Sequence, residues 1–88
     1  MSTEYDYLLT ARQLLKNSLD LPELADQIDD HEQFLDAGVN SGEIIRLVYQ
    51  CEKYLGTELE DGEIVNATSL SMVAAVLRTH AGEGPHVA

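Results

Sequence analysis

The sequence predicts an all-α protein, a four-helix bundle made of three main helices, one short helix and a long first connection. Three observations lead there. Apolar residues recur at helical spacing in three separate stretches. No stretch of useful length alternates as a strand does, and there is no repeat or low-complexity tract. Between the first two helical stretches the periodicity fades around Pro22, which breaks any continued helix.

The first helix is expected from about Thr3 to Ser18. Leu8, Ala11, Leu15 and Leu19 form its apolar stripe, with Arg12, Gln13 and Lys16 between them. Ser2 or Thr3 is placed to cap its start, and Glu4 and Asp6 suit the positive end of the helix dipole. From Leu19 to Asn40 the chain reads as a long ordered connection, with a turn of helix near Glu23 to Ile28. Leu21, Leu24, Ile28, Phe34 and Leu35 are its apolar anchors. A connection of this length in a compact domain is uncommon and usually functional.

Ser41 opens the strongest helix. Ile44, Leu47, Val48, Cys51 and Leu55 make one continuous apolar stripe with Val48 at its centre, and Gly56 ends the helix. The opposite stripe is Glu43, Arg46, Gln50 and Lys53, suited to water or to a partner. A short helical turn is expected from Asp61 to Val65, with Ile64 and Val65 facing inward. Thr68 or Ser69 then caps a last helix running to about Thr79, with Leu70, Val73, Val76 and Leu77 inside and Ala74 and Ala75 allowing close packing. Residues 1–80 form the expected domain, and residues 81–88, with two glycines and Pro85, a disordered tail.

Composition narrows the function. The chain has 88 residues, of which 44% are hydrophobic, enough for one small core and too many for a disordered chain. With no Trp and one Phe, aliphatic side chains must build that core. The net charge is −11, from 16 Asp and Glu against 5 Lys and Arg. Nucleic acid and anionic membranes repel such a chain, whereas partners with basic patches attract it. The same charge also serves plain solubility. No apolar run is long enough to span a membrane and no signal peptide is visible, so a cytoplasmic location is expected.

Rival chemistries find little support. The single cysteine, Cys51, excludes an internal disulfide and lies on the inner stripe as a small core residue. His31, His80 and His86 show no metal-ligand pattern, and none is near enough to Ser41 in sequence to suggest a base for it, so a hydrolase is not expected. Asp29, Asp30, Glu32 and Asp36 lack the ligand periodicity of a calcium loop. Glu58, Glu60, Asp61 and Glu63 either add to a partner-facing patch or complement the start of the short helix.

The informative stretch is Leu35-Asp36-Ala37-Gly38-Val39-Asn40-Ser41. It sets a serine where a structured loop meets a helix N-terminus, whose free N–H groups and dipole favour a phosphate on the serine oxygen. Gly38 fits a turn with positive φ, and Leu35 and Val39 read as anchors that pin the loop to the core. Taken alone, a serine here is most often just an N-cap.

In this stretch the sequence resembles the acyl and peptidyl carrier proteins, four-helix bundles that bind phosphopantetheine. The family's usual core is Asp or Gly, any residue, Gly, an apolar residue, Asp, Ser, then Leu or another bulky apolar residue; Asp36, Gly38, Val39 and Ser41 match. The resemblance extends from about Thr3 to Thr79 in helix order and spacing. Asn40 stands in place of the usual Asp, and Gly42 in place of the bulky residue that helps partner enzymes grip the base of the arm. The resemblance implies a protein with no active site of its own, which carries 4'-phosphopantetheine from coenzyme A on Ser41. Its partners would be a phosphopantetheinyl transferase, a loading ligase or acyltransferase, and downstream synthase enzymes. Asn40, Gly42, Glu43, Arg46, Gln50 and Lys53 are the expected partner contacts. Arg46 is otherwise an ordinary surface pair with Glu43 or Gln50. A free-standing monomeric carrier for polyketide or nonribosomal peptide biosynthesis is expected first. A fatty-acid acyl carrier protein ranks second, and the rival from another class is an unmodified acidic interaction module.

Overall fold

The computed structural model describes residues 3–83. Among them are α1 (Thr3–Lys16), a 3-10 turn (Pro22–Asp26), α2 (Phe34–Ala37), α3 (Ser41–Leu55), α4 (Asp61–Asn66) and α5 (Leu70–Glu83), with no strand among the described residues. The three long helices are the three periodic stretches; the one-turn α2 adds an element that the periodicity did not reveal.

α1 packs along α5. Ala11, Leu14 and Leu15 are buried on one side, and Leu70, Val73, Ala74, Val76 and Leu77 on the other. α1 stops two residues before the predicted Ser18: there the backbone tightens, with the Ser18 N–H donating to the Leu15 carbonyl at 2.9 Å and its hydroxyl to the Leu14 carbonyl at 2.8 Å. The buried Leu19 follows and leads into the connection.

The connection is organised by a cation from α1. The Arg12 guanidinium donates to the carbonyls of Ala25 and Ile28 and to the carboxylate of Asp30, the last at 2.7 Å. Backbone acceptors that no regular element would satisfy thus find a partner. Ala25, Ile28, Phe34 and Val39 are buried. Two of the expected anchors are not anchors: Leu21 and Leu35 are 64% and 66% exposed, because the turns on which they sit point Ala25 and Phe34 inward instead. Gly38 closes α2 in the left-handed region at φ 100, where a side chain would be strained. The Phe34 N–H donates to the Thr68 carbonyl at 2.8 Å and ties α2 to the start of α5.

On α3, Leu47 and Cys51 are fully inside, while Ile44, Val48 and Leu55 are half-buried against the same core. Val48 is therefore at the edge of the stripe and not its centre. α4 buries none of its residues: Ile64 is half-buried and Val65, expected inside, is 72% exposed. The buried residues lie at its two ends, Leu59 ahead of it and Ala67 at its C-cap, while Ile64 packs against the core from within. At α5 the choice of cap falls to Ser69, whose buried hydroxyl accepts from the Met72 N–H at 3.3 Å. α5 continues to Glu83, so residues 81–83 are helical rather than tail; the remainder of the predicted tail, 84–88, lies outside the described residues. Among the described residues no helix is long and apolar enough to cross a membrane.

Candidate functional site

The site is the junction of the connection with α3. Asn40, not Ser41, caps the helix: its backbone is extended (φ −89, ψ 169) and its side-chain oxygen accepts from the Glu43 N–H at 2.8 Å. Glu43 returns the bond, with Oε1 accepting from the Asn40 N–H at 3.0 Å. This reciprocal pair is a capping box. Its consequence is chemical. Ser41 becomes the first residue inside the helix, exposed, with a hydroxyl that has no capping duty and no bond to another described residue.

The amides of Ser41 and Gly42 likewise make no hydrogen bond within the described structure, as expected of the first positions of a helix. A phosphate on the serine oxygen would therefore meet unused N–H donors at the positive end of a helix of 15 residues. The residues present fit a phosphodiester-linked arm. The junction is held from behind by Val39 at 1% and Phe34 at 0% exposure, so an accessible serine sits on a rigid base.

Gly42 is next to Ser41 and exposed. A Cβ built on it would meet only the Asn40 Oδ1, at 3.4 Å, which is ordinary contact. Nothing in the fold therefore requires a glycine. Arg46 and Lys53 are exposed on the outer face of α3 and Gln50 is half-buried. Arg46 pairs with Asp20 of the connection at 3.1 Å rather than with Glu43 or Gln50, and Lys53 sits 5.6 Å from the centre of the Tyr49 ring. Glu43 corrects the expectation of a partner-contacting surface residue: it is buried, and the connection at Asp20 covers it. Ile45 and Tyr49, 69% and 57% exposed, share the outer face, where the apolar period of the helix gives no sign of them.

An apolar cavity of about 180 Å³ opens nearby, bounded by α2, α3 and α4 through Phe34, Leu35, Ile44, Ile64 and Val65. Ile44 stands one turn from Ser41, so the cavity begins close to the serine.

Other candidates stay structural. Burial, then the neighbouring Glu52 carboxylate, push the Cys51 thiol up to about 11, the opposite of an activated nucleophile. His80 pairs with Glu63 at 2.8 Å, His31 with the Ser71 hydroxyl at 3.1 Å, and His86 lies outside the described residues. Glu60 and Glu63 do complement the start of α4, in a second capping box. No group of His, Cys, Asp and Glu among the described residues is arranged to hold a metal.

The family model of the phosphopantetheine attachment site matches residues 10–77, more than three quarters of the chain. The chain belongs to this family. No curated protein and no solved structure gives a match. As a member of the phosphopantetheine-binding family the protein is a carrier, and the domain is a place of covalent 4'-phosphopantetheine attachment. Such carriers meet phosphopantetheinyl transferases and synthase enzymes. The match spans the second half of α1, the whole connection, α3, α4 and α5 as far as Leu77.

Proposed function

We propose that Ser41 carries the arm, and that the protein holds an acyl or aminoacyl thioester for the enzymes of polyketide or nonribosomal peptide biosynthesis. The observation that carries this reading is the division of labour at the helix start: Asn40 takes the cap and leaves the exposed Ser41 hydroxyl beside unused amides. In the transfer, the Ser41 oxygen attacks a phosphorus of the coenzyme A diphosphate. The bond to the nucleotide half breaks, that half leaves with the electron pair, and the serine proton passes to a base of the transferase. The attached arm ends in a thiol, which bears the cargo as a thioester. The carrier presents cargo and is not an enzyme. The cavity beside Ile44 suits an apolar portion of that cargo.

Two features favour a specialised pathway. Gly42 leaves the base of the arm bare although the fold tolerates a side chain there. The outer face of α3 shows Arg46, Lys53 and Gln50 but no free carboxylate, since Glu43 is turned inward and Glu52 accepts from the Leu59 N–H. A loading ligase or acyltransferase that docks here, against Asn40, Gly42, Arg46, Gln50 and Lys53, would bring carboxylates and an apolar side chain of its own. A fatty-acid carrier is the second reading, favoured by the net charge of −11, which suits basic partners elsewhere on the surface. The protein works as a cytoplasmic monomer in either case.

Intact-mass spectrometry tests the assignment. With coenzyme A, Mg²⁺ and a promiscuous transferase, the wild type gains one phosphopantetheine and Ser41→Ala gains none. A wild type that stays unmodified with several transferases, or a Ser41→Ala that is still modified, rules out the assignment.

A further inference from the structure

We infer that Glu43 is a positioning residue for arm attachment, acting through Asn40 on Ser41; the inference rests on the reading of Ser41 as the attachment residue. Among the described residues Glu43 is the one carboxylate counted as buried, at 6% exposure. Its two oxygens hold two different backbone segments. Oε1 accepts from the Asn40 N–H and Oε2 from the Asp20 N–H, each at 3.0 Å. These amides stand at opposite ends of the long connection. One carboxylate therefore closes the connection into a loop whose ends meet beneath Ser41.

A helix cap needs only the first of these bonds. The second reaches 23 residues back along the chain and does nothing for the helix itself. Arg46, one turn further along α3, reinforces it by pairing with the Asp20 carboxylate at 3.1 Å. Asn40 is fixed from both sides, through its own side-chain oxygen and through its N–H. The Asn40–Ser41 peptide, and with it the direction in which the serine hydroxyl leaves the helix, is set by a group that never touches the transferred atoms. A neutral amide of the same size cannot replace it, because its NH₂ end would face a backbone N–H and leave that part-buried donor without its acceptor.

The test compares wild type, Glu43→Gln and Glu43→Asp, at a temperature where circular dichroism shows each folded. With a promiscuous transferase and coenzyme A, Glu43→Gln should lower kcat roughly 10- to 100-fold, as expected of a small misplacement of a reacting group. KM for the carrier should stay unchanged at both low and high salt. Glu43→Asp keeps the charge but is too short to reach both amides, so it should fall between the two. Amide exchange in the wild type supplies a measurement that needs no variant: the N–H groups of Asp20 and Asn40 should be protected and those of Ser41 and Gly42 should not.

Wild-type kinetics in folded Glu43→Gln would overturn the role and leave Glu43 a stabiliser only. A higher KM that recovers at high salt would overturn it in favour of a surface contact with the transferase. Fast exchange of the Asp20 amide in the wild type would remove its geometric basis. A wild type that accepts no arm overturns the Ser41 reading, and the positioning role falls with it. That result is distinct from equal modification of wild type and Glu43→Gln, which overturns the positioning role alone.

Discussion

α5 places Leu70, Val73, Ala74 and Leu77 in the core at 1% exposure or less, whereas α4, joined to it by a three-residue link, buries no residue at all. α5 is held by apolar packing against α1. α4 is held mainly by directed polar bonds: Glu63 accepts from the Glu60 N–H at 2.8 Å and pairs with His80 of α5 at 2.8 Å. Burial of the first kind is additive and insensitive to direction. Bonds of the second kind are individually modest, but they fix orientation. Stability is thus concentrated in α1 and α5, while α4 and the start of α3, which frame Ser41 and the cavity, take their geometry from capping boxes. The elements that a partner enzyme would meet can be altered without unfolding the rest.

The strongest challenge to that division is a cavity in the packed half. Leu15 is fully buried between α1 and the other helices. Leu15→Ala should destabilise by about 2–5 kcal/mol, a large share of the stability of a domain this small. A urea titration followed by circular dichroism measures it; a loss below about 1 kcal/mol would mean that burial does not carry this half.

Cys51 tests the same half by pH. Its thiol is neutral and buried, pushed from the ordinary value of 9.0 up to about 11. Above that lower value the unfolded chain sheds a proton that the folded chain keeps, so stability falls as pH rises through this window. The loss reaches on the order of 2–3 kcal/mol by the folded value. The readout is the difference in pH slope between wild type and Cys51→Ala. Parallel slopes would show that the thiol is not held in the core.

How much of this was legible in the sequence follows the same line. Apolar period revealed α1, α3 and α5 because packing elements repeat their burial every turn. In one-turn elements no repeat exists: Phe34 and Leu35 are adjacent and equally apolar, and only the closing contacts with Val39 and Thr68 choose Phe34 for the core. Ile64 and Val65 posed the same choice. Ser41 was legible as a candidate from its neighbours, but its release from capping was not. Glu43 was misplaced because a helical wheel puts it on the outer stripe and cannot see that Asp20, far back in the chain, covers it. The spacing Asn40-x-x-Glu43 was the available signal, since a capping box turns its glutamate back toward the cap.

A smaller effect is expected on α4. Glu63→Ala removes the capping bond to Glu60 and the pair with His80 together. It should cost about 1–2 kcal/mol, expressed as faster amide exchange across residues 61–66 with little change in α1 and α5. Uniform loss of protection throughout the molecule would join α4 to the core and erase the contrast.

The smallest change tests the start of α3. Gly42 occupies the second position of that helix with a negative φ, so an alanine needs no backbone change, and its Cβ would meet only Asn40 Oδ1, at 3.4 Å. Glycine at a helical position is disfavoured against alanine by roughly 0.5–1 kcal/mol, because it surrenders more backbone freedom on folding. Gly42→Ala should therefore raise stability by up to about that amount, less at a first turn than in mid-helix. The position is exposed, so the gain is local and the packed half should not respond. If folding alone chose the residue, an alanine there would improve the protein in every respect. If a partner's side chain fills the space over Gly42, Gly42→Leu should leave arm attachment to a promiscuous transferase intact and slow loading by the cognate enzyme, even though the variant is as stable as wild type. Loading at the wild-type rate would mean that the bare turn beside Ser41 is not read by any partner. A fall in stability with Gly42→Ala would mean instead that the capping box is too tightly set to accept a methyl group beside Asn40.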